Sequence, residues 1–310
     1  MKYQNIHLTN KATNDTIYCL GFFDGLHLGH QELIKETIKI ARDSNKKAGL
    51  LTFTSFGNTK TSKHNTNKVI LTNDQKNKLL ESYELDIITY IDFDEECMST
   101  TKEDFIKFLK QELSCVGVIV GTDYRFGYKG EGDISYLKKI ESYDFIVNII
   151  EPLKVDDEIV STTKIIEYLR LGNIEKVNKF LGRNYSINGV VKEGFHIGTT
   201  LEFPTANVEF NKELIAPLYG VYGVKVFIDN KEYKGISNIG IRPSINTLEH
   251  PLVETNILNY QGNLYDKEII IEFICFIRQE QKFQSIIELK EQIKEDKKKL
   301  LKYLENNWKT

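Results

Sequence analysis

The sequence predicts two domains, an α/β domain on a parallel sheet and then a mostly antiparallel β domain closed by one long helix. Three observations carry this. Short apolar runs alternate with helical repeats over residues 16–173. From residue 185 the apolar runs succeed one another with turn residues between them. The last amphipathic stretch, SIIELKEQIKEDKKKLLKYLENN, has helical spacing throughout. A chain of 310 residues suits two domains of ordinary size.

In order, TIYCLGFF (16–23) is a buried strand that runs into glycine-flanked residues, and HQELIKETIKIARDSN (30–45) is a helix. AGLLTF (48–53) is a strand, NDQKNKLLESY (73–83) a helix and DIITYIDF (86–93) a strand. TKEDFIKFLKQEL (101–113) is a helix, VGVIVG (116–121) and DFIVNIIEP (144–152) are strands, and TTKIIEYLRLGN (162–173) is a helix. Alternation of this kind implies parallel pairing through right-handed crossovers, with ligands beyond the carboxyl ends of the strands. YSINGVV, YGVKVFI, KEYKGISNIG and EIIIEFICFI then supply the second domain. The boundary is expected near LGRNY (181–185), giving domains 1–182 and 183–310.

Charge narrows the partners. Residues 1–182 carry 24 basic and 27 acidic side chains and residues 183–310 carry 17 of each, for a net charge of −3. No basic domain exists to neutralise many phosphates, so nucleic acid is not expected as a partner. Lys294 to Lys302 lie among Glu291, Glu295 and Asp296, the pattern of a solvated helix face. Cys19, Cys97, Cys115 and Cys275 have no metal-site or disulfide spacing and read as small buried hydrophobes in a reducing compartment. No apolar run is long enough to span a membrane, and the start, MKYQNIHLTN, has no signal-peptide core, so a cytoplasmic setting is expected. Oligomeric state stays open.

The chemistry begins at Gly21-Phe22-Phe23-Asp24-Gly25-Leu26-His27-Leu28-Gly29-His30, between a strand and a helix. Glycines let backbone amides approach a phosphate, and a helix N-terminus favours anions. His27 and His30, three residues apart, face one way on the first helical turn and suit stabilisation of charge on a phosphate in transfer. This stretch resembles the nucleotidylyltransferase signature. With the rest of the chain it is similar to the bacterial bifunctional riboflavin kinase/FAD synthetases, over nearly all of the sequence.

The resemblance implies an N-terminal Rossmann-like domain that transfers AMP from ATP to FMN, and a C-terminal β-barrel domain that phosphorylates riboflavin with Mg²⁺ and ATP. By resemblance Gly21, Phe22, Asp24 and Gly25 contact the nucleotide. Val120-Gly121-Thr122-Asp123-Tyr124-Arg125-Phe126-Gly127 resembles a second family segment, which sets Asp123 and Arg125 beside nucleotide or flavin; a surface ion pair is the other reading. Val160-Ser161-Thr162-Thr163-Lys164-Ile165-Ile166 resembles a third, in which Ser161 and Thr163 would serve as caps or phosphate donors. Ile166 stands where the family carries an arginine, and Phe53-Thr54-Ser55-Phe56-Gly57 lacks the usual carboxylate and proline. Both departures predict weakened adenylyl transfer.

In the second half Phe203-Pro204-Thr205-Ala206-Asn207 resembles the flavokinase motif whose hydroxyl and amide oxygens hold Mg-ATP, here Thr205 and Asn207. Asn238-Ile239-Gly240-Ile241-Arg242-Pro243-Ser244 and Val253-Glu254-Thr255-Asn256-Ile257-Leu258 match its companion segments. A glutamate on an apolar strand needs a task or a partner, and Glu254 is the expected general base. Arg278 is read as a flavin contact or a structural ion pair. Gly198 is expected to bend the phosphate loop, while Thr199 and Glu202, in place of a cation and a glycine, predict weaker ATP binding. Two other readings stay open: a monofunctional riboflavin kinase with a vestigial first domain, and a non-catalytic flavin- or nucleotide-binding regulator.

Overall fold

A computed structural model describes residues 1–8, 14–54, 68–192, 205–241 and 251–307. The chain forms two compact units, Met1–Thr162 and Thr163–Thr310.

The first unit runs β1 (Tyr3–His7), β2 (Thr16–Leu20), a one-turn 3-10 helix (Asp24–Leu26), α1 (Leu28–Asp43), β3 (Lys47–Phe53), α2 (Asn73–Leu80) and β4 (Ile87–Ile91). It continues through α3 (Glu95–Ser99), α4 (Lys102–Gln111), β5 (Cys115–Gly121), α5 (Ile134–Ile140) and β6 (Ile146–Ile150) to a small hairpin, β7 (Lys154–Val155) and β8 (Glu158–Ile159). The sheet order is β1-β4-β3-β2-β5-β6; all neighbours pair in parallel except β1, which lies antiparallel on β4. Every residue of β2 and β4 is buried, as expected for a sheet covered on both faces. Alternation sorts the side chains into two cores. Ile17, Cys19, Leu50 and Ile88 pack with Ile34 and Ala41 of α1, while Tyr18, Leu20, Leu51 and Val118 pack with Phe105 and Leu109 of α4. The chain order reverses between β2 and its neighbour β5, the switch point at which such sheets bind ligands.

The second unit contains α6 (Thr162–Arg170), whose first residue ends the first unit, then α7 (Ile174–Leu181), β9 (Tyr185–Val190), β10 (Thr205–Glu209), β11 (Gly220–Ile228), β12 (Lys231–Ile241), β13 (Pro251–Ile257), β14 (Glu268–Gln279) and α8 (Ile286–Asn307). The compact units divide at Thr162/Thr163, which sets α6 and α7 with the second sheet. The reason is packing: α7 lies on β14, and the Leu218 amide donates to the Leu169 carbonyl at 2.8 Å. The strand order is β10-β13-β12-β11-β14-β9, antiparallel throughout. The sheet curls until its edges meet, and the Lys192 amide, just past β9, donates to the Asn207 carbonyl of β10 at 2.9 Å.

The sheet's inner face packs aromatics. Tyr222 meets Phe273 and Phe276 edge-on, with ring centroids 5.3 and 5.2 Å apart. Its outer face carries α8, whose Leu300 and Leu304 join Val221, Ile236 and Cys275. Gly223 permits that approach: a Cβ there would stand 2.5 Å from Leu300 Cδ1 and 2.9 Å from Cys275 Sγ. Gly223→Ala is expected to cost about 1–3 kcal/mol through overpacking, measurable as a lower denaturation midpoint.

Candidate active sites in two units

In the first unit the site is built on the loop after β2. The Gly21 amide donates to the Leu51 carbonyl and so leaves the sheet in register. Phe23 (φ 51°), Gly25 (φ 78°) and Leu26 (φ 41°) then take left-handed backbone conformations. Two of these are not glycine, so the turn is strained and must be held from outside. Two sets of bonds hold it. Asp24 Oδ1 accepts from the Ile70 amide (2.8 Å) and the Leu71 amide (3.3 Å). The Phe22 carbonyl accepts from the Thr52 hydroxyl (2.8 Å) and from Lys76 Nζ (3.3 Å). Desolvation pushes the Asp24 carboxyl up to about 6, against the Ile70 and Leu71 amides and the Lys76 charge. Burial pushes the Lys76 ammonium down to about 8, against the pull of Asp24.

His27 caps α1, its Nδ1 accepting from the His30 amide at 3.2 Å. The two imidazoles stack with centroids 3.6 Å apart, and Phe23 lies 5.1 Å from the His30 ring. The spacing thus places both histidines at the helix N-terminus, where anions are favoured. Phe22 heads an aromatic group at the strand ends, 4.6 Å from Phe53 and 5.6 Å from Phe93. Thr162, next to Ser161, donates its hydroxyl to the Asp24 carbonyl at 3.4 Å.

The other expected residues of this half divide. Asp123 is exposed past β5, its carboxylate beside Gly121. Arg125 forms a surface ion pair with Asp133 at 3.2 Å, worth little by itself. Thr163 is exposed at the start of the second unit. Ile166 is 3% exposed on the packed face of α6, and Lys164 is engaged with Glu167 at 3.4 Å. Of Phe53-Gly57, the last three residues lie outside the described residues.

In the second unit the site is a row across strands. Asn207 of β10 pairs directly with Glu254 of β13, which pairs with Asn238 of β12. The next pairings reach Val221 of β11 and then Arg278 of β14. Directly opposed residues share a face, so pleating brings Asn207, Glu254 and Asn238 together on the outer side. Thr205 pairs with Asn256 two residues along, on the same face. Asn207 is 7% exposed; its Nδ2 donates to the Thr205 carbonyl at 3.4 Å, and its Oδ1 has no hydrogen-bond partner among the described residues. Asn238 donates to Glu280 at 3.0 Å. Arg278, at the far end of the row, forms a bidentate ion pair with the buried Asp296 of α8 at 2.9–3.0 Å, the ion-pair alternative for this residue. Gly198, Thr199 and Glu202 lie outside the described residues, as do Phe203-Pro204 and Arg242-Pro243-Ser244.

Sequence reasoning missed Lys76 and Glu280. Lys76 sits in NDQKNKLL, which reads as a solvated helix, and it is buried against the Phe22 carbonyl, Thr52 and the Tyr90 ring.

Comparison with known proteins matches both units. Residues 9–164 fit the family model for FAD synthetase, and residues 181–304 fit that for riboflavin kinase. A bifunctional riboflavin kinase/FMN adenylyltransferase of Buchnera aphidicola (subsp. Schizaphis graminum) is 39% identical, with 97% of each chain covered. The protein of the same description from Bacillus subtilis is 31% identical over 97% of this chain and 96% of its own. A crystal structure described as a macrolide-efflux protein from Streptococcus pneumoniae superposes with a TM-score of 0.83 at 26% identity, over 95% of this chain and 94% of that one. Two family models in tandem and relatives aligned from end to end place the chain in the family of bifunctional riboflavin kinases/FMN adenylyltransferases.

Proposed function

We propose that the chain makes FMN from riboflavin at the Asn207–Glu254 row and then adenylylates FMN to FAD at the Gly21–His30 loop. The observation that carries the reading is the cross-strand pair of a buried amide and a carboxylate, Asn207 and Glu254, directly opposed on neighbouring strands. Glu254 takes the proton of the riboflavin ribityl hydroxyl as its oxygen bonds to the γ-phosphorus of ATP and ADP leaves. At the first site a phosphate oxygen of FMN bonds to the α-phosphorus of ATP and pyrophosphate leaves. The loop amides, with His27 and His30, bind the charge that builds on that phosphate.

Thr205 and Asn207 would hold Mg²⁺. The unengaged, buried Asn207 Oδ1 is a hard oxygen of the kind this ion takes. When bound, the ion supplies charge neutralisation at the phosphates. The partners are small molecules: riboflavin, FMN and ATP. No helix among the described residues is long and apolar enough to cross a membrane, and all four cysteines are free thiols, which fits a cytoplasmic setting.

The test is a time course with riboflavin and Mg-ATP, the flavins being separated by chromatography. FMN followed by FAD is the expected result. FMN alone would make the chain a monofunctional kinase, and no FMN despite riboflavin binding would make it a regulator.

A further inference from the structure

Lys76 is a buried cation that the two reactions above leave unused. It is 5% exposed, lies on α2, and donates to the Phe22 carbonyl at 3.3 Å and the Thr52 hydroxyl at 3.5 Å. Burying an ammonium is costly unless its protons are accepted, and here the strained turn supplies one acceptor and β3 the other.

We propose that Lys76 is a positioning residue for adenylyl transfer, its ammonium pinning the Phe22 carbonyl so that the loop meets the nucleotide in one geometry. The inference rests on the adenylyltransferase reading above. The peptide between Phe22 and Phe23 is trans, so its carbonyl and its N–H point to opposite sides. Fixing the Phe22 carbonyl against Lys76 and Thr52 therefore turns the Phe23 N–H away from them. That fixes the plane of the peptide leading into the left-handed Phe23, which is buried with its ring 5.1 Å from that of His30. Asp24, one residue on, is anchored by the amides that lead into α2. The one stretch Ile70–Lys76 thus holds the turn at both ends of Phe23, and His27 and His30 follow directly. The charged and titratable groups that face Lys76 are Asp24 from the loop and Tyr90 of β4, whose ring centroid lies 5.6 Å from the ammonium. The ammonium is charged at neutral pH and loses its proton as pH rises through about 8.

The experiment uses the full chain and assays FAD formation from FMN and FMN formation from riboflavin separately. Lys76→Met is expected to lower kcat for FAD formation on the order of 100-fold, the size of a misplacement of about 1 Å. The KM for ATP should change by less than about threefold and FMN formation by less than about twofold, because the kinase row lies in the other unit. Wild-type FAD formation should fall as pH rises through about 8, and that limb should be absent from the residual activity of Lys76→Met. Thr52→Val, which removes the other donor to Phe22, should cost about tenfold and keep the limb. FAD formation by Lys76→Met within threefold of wild type, persistence of the limb in that variant, or a Thr52→Val variant at the wild-type rate would each overturn the assignment. Wild-type protein that forms FMN but no FAD would instead remove the adenylyltransferase reading, and the assignment with it.

Discussion

Glu254→Gln is expected to lower FMN formation by on the order of 10²–10⁴-fold while FAD formation from supplied FMN stays at the wild-type rate. The amide keeps the volume and a hydrogen bond but cannot take the ribityl proton. It also keeps the cross-strand pairing with Asn207 and Asn238, so the sheet has no reason to rearrange. The loss should fall on kcat, since a base acts in the transition state and contributes little to ground-state binding. Two readouts on one chain make the test internally controlled. A Glu254→Gln variant that phosphorylates riboflavin within about threefold of wild type would remove Glu254 from the chemistry and leave the row as a binding surface only.

His30→Asn is expected to lower FAD formation by about 10²–10³-fold, with FMN formation unchanged. His27 needs a finer design because it does two things. Its Nδ1 caps α1, and its ring stacks on His30. Asparagine is among the best capping residues, so His27→Asn keeps an acceptor for the His30 amide and removes only the imidazole. His27→Ala removes both and should add about 1 kcal/mol of lost stability to the same kinetic defect. Equal FAD-forming rates for wild type and His27→Asn, with His27→Ala impaired, would reduce His27 to a helix cap.

The parts of this molecule legible in the sequence are those whose information is local. Cys19 and Leu50 lie in runs buried on both faces, and those runs became β2, which starts where expected and ends three residues early, and β3, which starts one residue early. The histidine pair was readable because three-residue spacing on a helix start leaves few geometries. What escaped depended on distant partners. β1, with Gln4 and Asn5, is an edge strand too polar to announce itself, and it exists because β4 offers it a free edge. α7 was missed as an element, and its apolar face, Ile174, Val177, Phe180 and Leu181, sets it in the second compact unit. An ion pair was one reading of both Arg278 and Arg125, but the partners, Asp296 eighteen residues on and Asp133 eight residues on, are not named by the local motif. Lys76 is the sharpest case, since its helix looks solvated until the loop is laid on it.

The bond from the Lys192 amide to the Asn207 carbonyl is also the bridge at which the two edges of the antiparallel sheet meet. An open edge is a template on which another chain can add a strand, and this bridge occupies one acceptor of the β10 edge. The residue that makes this seam carries the amide oxygen assigned to the metal nucleotide. Anything that binds the folded site raises the cost of opening it, by an amount that grows with ligand concentration over its dissociation constant. On the proposed reading, substrate supply and resistance to aggregation would therefore be joined at Asn207: Mg-ATP bound there would also hold the seam between the two edge strands.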